Sequence, residues 1–107
     1  MKRNYPSTLY NLLVSRRYPV SLVHFVTNRC NARCSFCFLD FDNSEIYKGQ
    51  LTIDEIEKLT KTLGPQFKIV FLTGGEPFLR TDLIDIARSY LTNSSAETVF
   101  VSSNGSL

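Results

Sequence analysis

Three short apolar runs, separated by amphipathic stretches and each followed by an unusual polar loop, constrain this chain's fold more than any other feature. Residues 20–26 (Val-Ser-Leu-Val-His-Phe-Val), 68–73 (Lys-Ile-Val-Phe-Leu-Thr) and 98–102 (Thr-Val-Phe-Val-Ser) are rich in β-branched and aromatic residues and predict buried strands. Between the first two, Thr52 and Glu55 have the spacing of a capping box, and Leu51 and Ile56 that of a hydrophobic staple. Ile53, Ile56, Leu59 and Leu63 then form an apolar stripe at helical spacing, stopped by Gly64-Pro65. Between the second and third strands, Thr81 is expected to cap another helix, with Asp82 and Asp85 at its positive end and Leu83, Ile84, Ala87, Tyr90 and Leu91 facing inward. Leu9, Leu12 and Leu13 suggest a short leading helix within residues 7–17. Residues 38–49 read as irregular, with room for one helical turn. Strands that are apolar on both faces and alternate with helices predict a parallel sheet of the α/β class, in the order β-α-β-α-β.

This order has a functional consequence. Ligands of such folds bind at the carboxyl ends of the strands. Residues 30–37 follow the first strand, residues 74–77 the second and residues 102–105 the third, so all three loops are expected on one rim.

Composition narrows the function classes. Of 107 residues, 43% are hydrophobic, enough for one packed domain. A net charge of +2 gives no reason to expect nucleic acid as a partner. No stretch approaches the ~20 apolar residues of a membrane helix, and the polar start Met1-Lys2-Arg3-Asn4 does not read as a secretory signal. The three cysteines of the chain are Cys30, Cys34 and Cys37. An odd, tightly spaced set suits metal binding in a reducing compartment better than disulfides, so the expected location is the cytoplasm.

A C-x3-C-x2-C loop can place three thiolates around one iron–sulfur cluster and leave one iron without a protein ligand. Zinc is a weaker alternative, because a closed structural site needs a fourth nitrogen or sulfur. The one histidine, His24, lies inside the first strand and is expected to be a core or barrel-lining residue. A plain electron carrier would also normally use a fourth cysteine. Gly74-Gly75-Glu76-Pro77 is a strand-to-helix turn in which two glycines permit close approach to the backbone and Glu76 offers an acceptor for an ammonium group. Ser102-Ser103-Asn104-Gly105 supplies hydroxyl and amide groups. Arg29 and Arg33 flank the cysteines, where they either offset cluster charge or are solvated. Arg80, Lys58 and Lys61 read as solvated charges on helix faces.

Together these residues resemble the radical S-adenosylmethionine (SAM) superfamily. The likeness is carried by Cys30, Cys34 and Cys37 with the aromatic Phe36, by Gly74-Gly75-Glu76-Pro77, and more loosely by Ser103-Asn104-Gly105. It implies that the cysteines bind a 4Fe–4S cluster and that the amino and carboxylate groups of SAM chelate its fourth iron. It further implies that Gly74, Gly75 and Glu76 bind the methionine amino group, that Phe36 lies near the adenine, and that Ser102 and Asn104 face the ribose or carboxylate. The implied reaction is one-electron cleavage of SAM to methionine and a 5′-deoxyadenosyl radical, which takes hydrogen from a small-molecule or peptide substrate. An electron donor such as flavodoxin or ferredoxin is implied as a partner. The run Gly-Gly-Glu-Pro-Phe-Leu-Arg, followed by Asp-Leu, is similar to the branch containing molybdenum-cofactor biosynthesis and peptide-modifying enzymes.

The family's domain is a full or partial TIM-like (β/α) barrel, typically of six repeats, whereas three strands are expected here. Residues 1–19 therefore read as an N-terminal extension and residues 20–107 as an incomplete core, the N-terminal portion of that barrel. Such a piece is expected to be inactive alone; a truncated, non-catalytic remnant and a zinc-stabilised interaction module are the alternatives.

Overall fold

The computed structural model describes residues 5–10, 13–14 and 18–107. Strands β1 (Ser21–Thr27), β2 (Ile69–Gly74) and β3 (Thr98–Val101) form one parallel sheet in the order β1-β2-β3. Helix α1 (Tyr5–Tyr10) precedes the sheet, α2 (Ile53–Thr60) joins β1 to β2, and α3 (Leu83–Asn93) joins β2 to β3. Short 3-10 turns at Ser44–Tyr47 and Pro77–Leu79 complete the described elements. The expected α/β order is thus present, as an open parallel sheet consistent with part of a β/α barrel.

The period-two alternation of the strands divides the sheet into two unlike faces. Val26, Val70 and Leu72 point to the helix side and are buried with Ile56 of α2 and with Leu83, Ile86 and Tyr90 of α3. Phe67 and Leu63 close one end of this core. Each of these larger side chains contributes about 1.5–3 kcal/mol by leaving water. On the opposite face, Val23, Phe25, Phe71 and Phe100 are between 37% and 58% exposed. Phe71 and Phe100 stack there with ring centroids 5.1 Å apart. Both helices cover the same face, the outcome when two successive crossovers share a hand.

Helix α2 begins as its sequence dictates. Glu55 N–H donates to Thr52 Oγ1 (3.3 Å) and Thr52 N–H to Glu55 Oε2 (2.8 Å), which closes the capping box. The helix ends at Thr60, before the expected Gly64-Pro65 stop.

Helix α3 corrects two expectations. Its N-cap position is Asp82 rather than Thr81, and Asp82 makes no capping bond because its carboxylate is engaged with Arg80. Its buried stripe is Leu83, Ile86, Ser89 and Tyr90, whereas Ile84 (64% exposed) and Leu91 face outward. The leading helix is present at Tyr5–Tyr10, but Leu9 and Leu13 are exposed and add nothing to the core. Leu12 lies outside the described residues.

His24 lies on the helix side of the sheet, not on the open face. It shares a 2.9 Å hydrogen bond with the Tyr90 hydroxyl, and the two rings meet edge to face. Burial, with the Arg80 charge as a smaller cause, holds His24 below its ordinary pKa, and burial pushes Tyr90 up to about 12. Among the described residues no helix is long and apolar enough to cross a membrane.

Candidate cluster and cofactor site

The site begins where β1 ends. The strands are in register from Ser21↔Ile69 to Phe25↔Thr73, and then the register slips so that Thr27 pairs with Gly74. Val26 has no partner across the slip, the arrangement of a β-bulge, which bends a strand and re-aims the residues beyond it. Past the bulge the chain is stitched to the glycine turn. Gly75 N–H donates to Thr27 O (2.9 Å) and Glu76 N–H to Arg29 O (2.8 Å).

These two bonds explain both glycines. A Cβ on Gly74 would stand 2.0 Å from Thr27 O, and one on Gly75 would stand 2.2 Å from Arg29 O. The close approach that the sequence predicts is therefore made here by the chain's own backbone.

Glu76 joins the second loop to the third. It is fully buried. Its Oε1 accepts from Phe78 N–H (3.1 Å) and Ser103 Oγ–H (3.0 Å), and its Oε2 accepts from Asn104 N–H (2.8 Å). Burial alone would raise its pKa; the three donors outweigh burial and hold the carboxyl below the usual range. Glu76 is thus an ionised tie between loops.

The third loop in turn meets the cysteine loop. Asn104 Nδ2 donates to Asn31 Oδ1 (2.9 Å), and Asn31 Nδ2 donates to Ser106 Oγ (2.8 Å). Asn31 stands between Cys30 and Cys34. Ser102 is exposed, and its N–H continues the sheet by donating to Leu72 O (3.0 Å). All three loops occupy the rim at the strands' carboxyl ends.

All three cysteines are free thiols; Cys30 is half-buried, and Cys34 and Cys37 are exposed. A tight turn, with Cys37 N–H donating to Cys34 O (3.1 Å), brings the second and third together along the backbone. Among the described residues, no three His, Cys, Asp or Glu side chains are grouped so as to hold a metal ion. The donor chemistry nevertheless fits a cluster: three soft thiol sulfurs, none in a disulfide, share one short loop. Phe36 is 89% exposed at its tip. Arg33 sits over the Phe41 ring, 4.1 Å from its centroid, and donates to Cys30 O and Ala32 O, so it braces the loop.

Arg80 is the residue that sequence reasoning misplaced. Expected as a solvated charge, it is buried, and Nη1 donates to Val26 O (2.7 Å) while Nη2 donates to Leu51 O (2.7 Å). Nε donates to Asp82 Oδ1 (2.6 Å). A signal was available: a cation beside the positive end of a helix is unfavourable unless a carboxylate such as Asp82 pairs with it. Lys58 and Lys61 are exposed as expected.

The described residues include clefts large enough for a small ligand. One of about 410 Å³ lies between α2 and α3, and one of about 380 Å³ lies beside Thr27, Arg29, Gln50 and Arg80. Neither is lined by a cysteine.

A parallel α/β sheet thus carries a three-thiol loop, a Gly-Gly turn and a polar third loop on one rim. The family model for the radical SAM superfamily matches residues 25–107. The chain belongs to that superfamily.

Proposed function

We propose that this chain holds a 4Fe–4S cluster on Cys30, Cys34 and Cys37 and binds SAM on the adjoining rim, as the cofactor-binding core of a radical SAM enzyme. The observation that supports this most directly is the stitching of the cysteine loop to the glycine turn through Thr27 O and Arg29 O, with Glu76 tying in the third loop. Three loops from three strands are thereby held in fixed relation, as a ligand spanning them requires.

When bound, the cluster and SAM supply one-electron reductive cleavage of SAM, followed by hydrogen abstraction from a substrate. The protein's part is to hold and orient. Cys30, Cys34 and Cys37 would hold the cluster through their thiolates. Gly74 and Gly75 let the turn pack directly against Thr27 O and Arg29 O, which holds it beside the cysteine loop, where the methionine end of SAM would bind. Glu76, expected as an ammonium acceptor, is buried and contributes by tying the turn to Ser103 and Asn104 of the third loop. Phe36 supplies an exposed aromatic surface for the adenine, and Ser102 and Asn104 supply polar groups for the ribose or carboxylate. Residues 20–107 are the unit that does this, in the cytoplasm, with an electron donor such as flavodoxin or ferredoxin and a small-molecule or peptide substrate.

The test is anaerobic reconstitution with iron and sulfide, followed by metal analysis and electron paramagnetic resonance with and without SAM. About four irons per chain and a spectrum altered by SAM are expected. Cys34→Ala should lose most of the iron, because two thiolates do not fix the cubane. One zinc per chain, or a cluster spectrum indifferent to SAM, overturns the proposal.

A further inference from the structure

The bulge at Val26 creates an accounting problem that Arg80 solves. An extra residue in one strand leaves its backbone groups outside the ladder, and a buried carbonyl without a donor is costly. Val26 is fully buried, and its carbonyl accepts from Arg80 Nη1 at 2.7 Å. The same guanidinium reaches Leu51 O, just ahead of α2, and both oxygens of Asp82, at the start of α3. One planar fork thus joins the exit of β1 to the starts of both helices, from the side of the sheet away from the open face.

We propose that Arg80 is a positioning residue for the cysteine loop: it fixes the bulge at Val26 and so sets where the chain leaves the sheet toward Cys30. Thr27 and Arg29, whose carbonyls grip the glycine turn, lie one and three residues beyond the carbonyl that Arg80 holds. Loosening that carbonyl therefore loosens the relation between cysteine loop and glycine turn while the helix-side core stays intact. Lysine does not substitute, because one ammonium lacks the fork that serves Val26 O, Leu51 O and Asp82 together. The consequence for SAM rests on the function proposed above; the consequence for the loop does not.

The experiment compares Arg80→Lys and Arg80→Gln with the unaltered chain by two readouts. The first is amide hydrogen exchange. The Gly75 and Glu76 amides should exchange about tenfold faster or more in both variants, while the amides of β2 and α3 keep their protection. The second is the perturbation of the cluster's resonance spectrum by SAM in iron-loaded protein. SAM should be needed at about tenfold higher concentration, with no rescue by lysine. Unchanged exchange at Gly75 and Glu76 overturns the proposal, and so does an equal acceleration throughout the chain, which would mark Arg80 as a general stabiliser. Should the Arg80 variants not fold, Asp82→Asn keeps every guanidinium donor but weakens its anchor, and the same local pattern must appear there. If the unaltered chain takes up iron and SAM leaves its spectrum untouched, the proposed function falls, while hydrogen exchange still decides the placement role of Arg80.

Discussion

At the scale of single residues, the rim is governed by close approach and by buried polar groups. Gly75 has no room for a methyl group against Arg29 O, a backbone atom that cannot swing aside. Gly75→Ala should therefore cost about 2 kcal/mol or more, measured by urea denaturation, and should separate the cysteine loop from the glycine turn. His24 makes a pH prediction whose sign is fixed. Its pKa in the fold is lowered, so the unfolded chain takes up the proton first. Its contribution is fully present above the ordinary histidine value of 6.5 and is lost as pH falls below it. Tyr90 acts oppositely: with its pKa raised to about 12 in the fold, stability is lost as pH rises above the ordinary value of 10.0. Melting temperature should thus fall between about pH 7 and about pH 5, the range in which a histidine titrates. His24→Phe should flatten that slope while lowering the plateau, because the Tyr90 hydroxyl loses its partner. A slope that survives the substitution would show that some other group is responsible.

At the scale of elements, the features readable from sequence are the local ones. The capping box of α2 was legible because Thr52 and Glu55 satisfy each other within one turn, whatever packs around them. The strands were legible from continuous runs such as Ile69-Val70-Phe71-Leu72. The phase of α3 was not. Leu83, Ile84, Ala87 and Leu91 also make a plausible stripe, and only the position of the sheet selects Leu83, Ile86 and Tyr90 instead. A paired substitution checks this assignment by thermal or chemical denaturation. Ile86→Ala should cost about 2–4 kcal/mol, as a buried isoleucine does. Ile84→Ala should stay within about 0.5 kcal/mol. Equal effects would mean that the helix is rotated. Arg80 was hidden for a related reason: its partners, Val26 O and Leu51 O, lie 54 and 29 residues away. No local pattern encodes a bond to a carbonyl orphaned by a bulge.

At the scale of the whole molecule, the sheet has one covered face and one open face. Val23, Phe25, Phe71 and Phe100 present apolar surface beside β1 and β3, the two edge strands among the described residues. Surfaces of this kind associate. The 107-residue chain should therefore self-associate at about micromolar concentrations and above, as sedimentation would show, and Phe100→Lys with Val23→Lys should shift it toward monomer. Sedimentation unaffected by these charges would mean that the open face is not the contact surface. The placement of the three loops on one rim was legible from the strand–helix order alone, because parallel strands all end on the same side. Their mutual bonds were not, since Asn31, Glu76 and Asn104 come from three separate segments. The extra residue at Val26 also alters the parity of β1. Side chains along a strand point left and right in turn, and the inserted residue breaks that count just before the cysteines. The spacing from Ser21 to Cys30 is therefore as much a specification of the cysteine loop as the sulfurs are, and deleting one residue from it should re-aim the loop relative to the sheet.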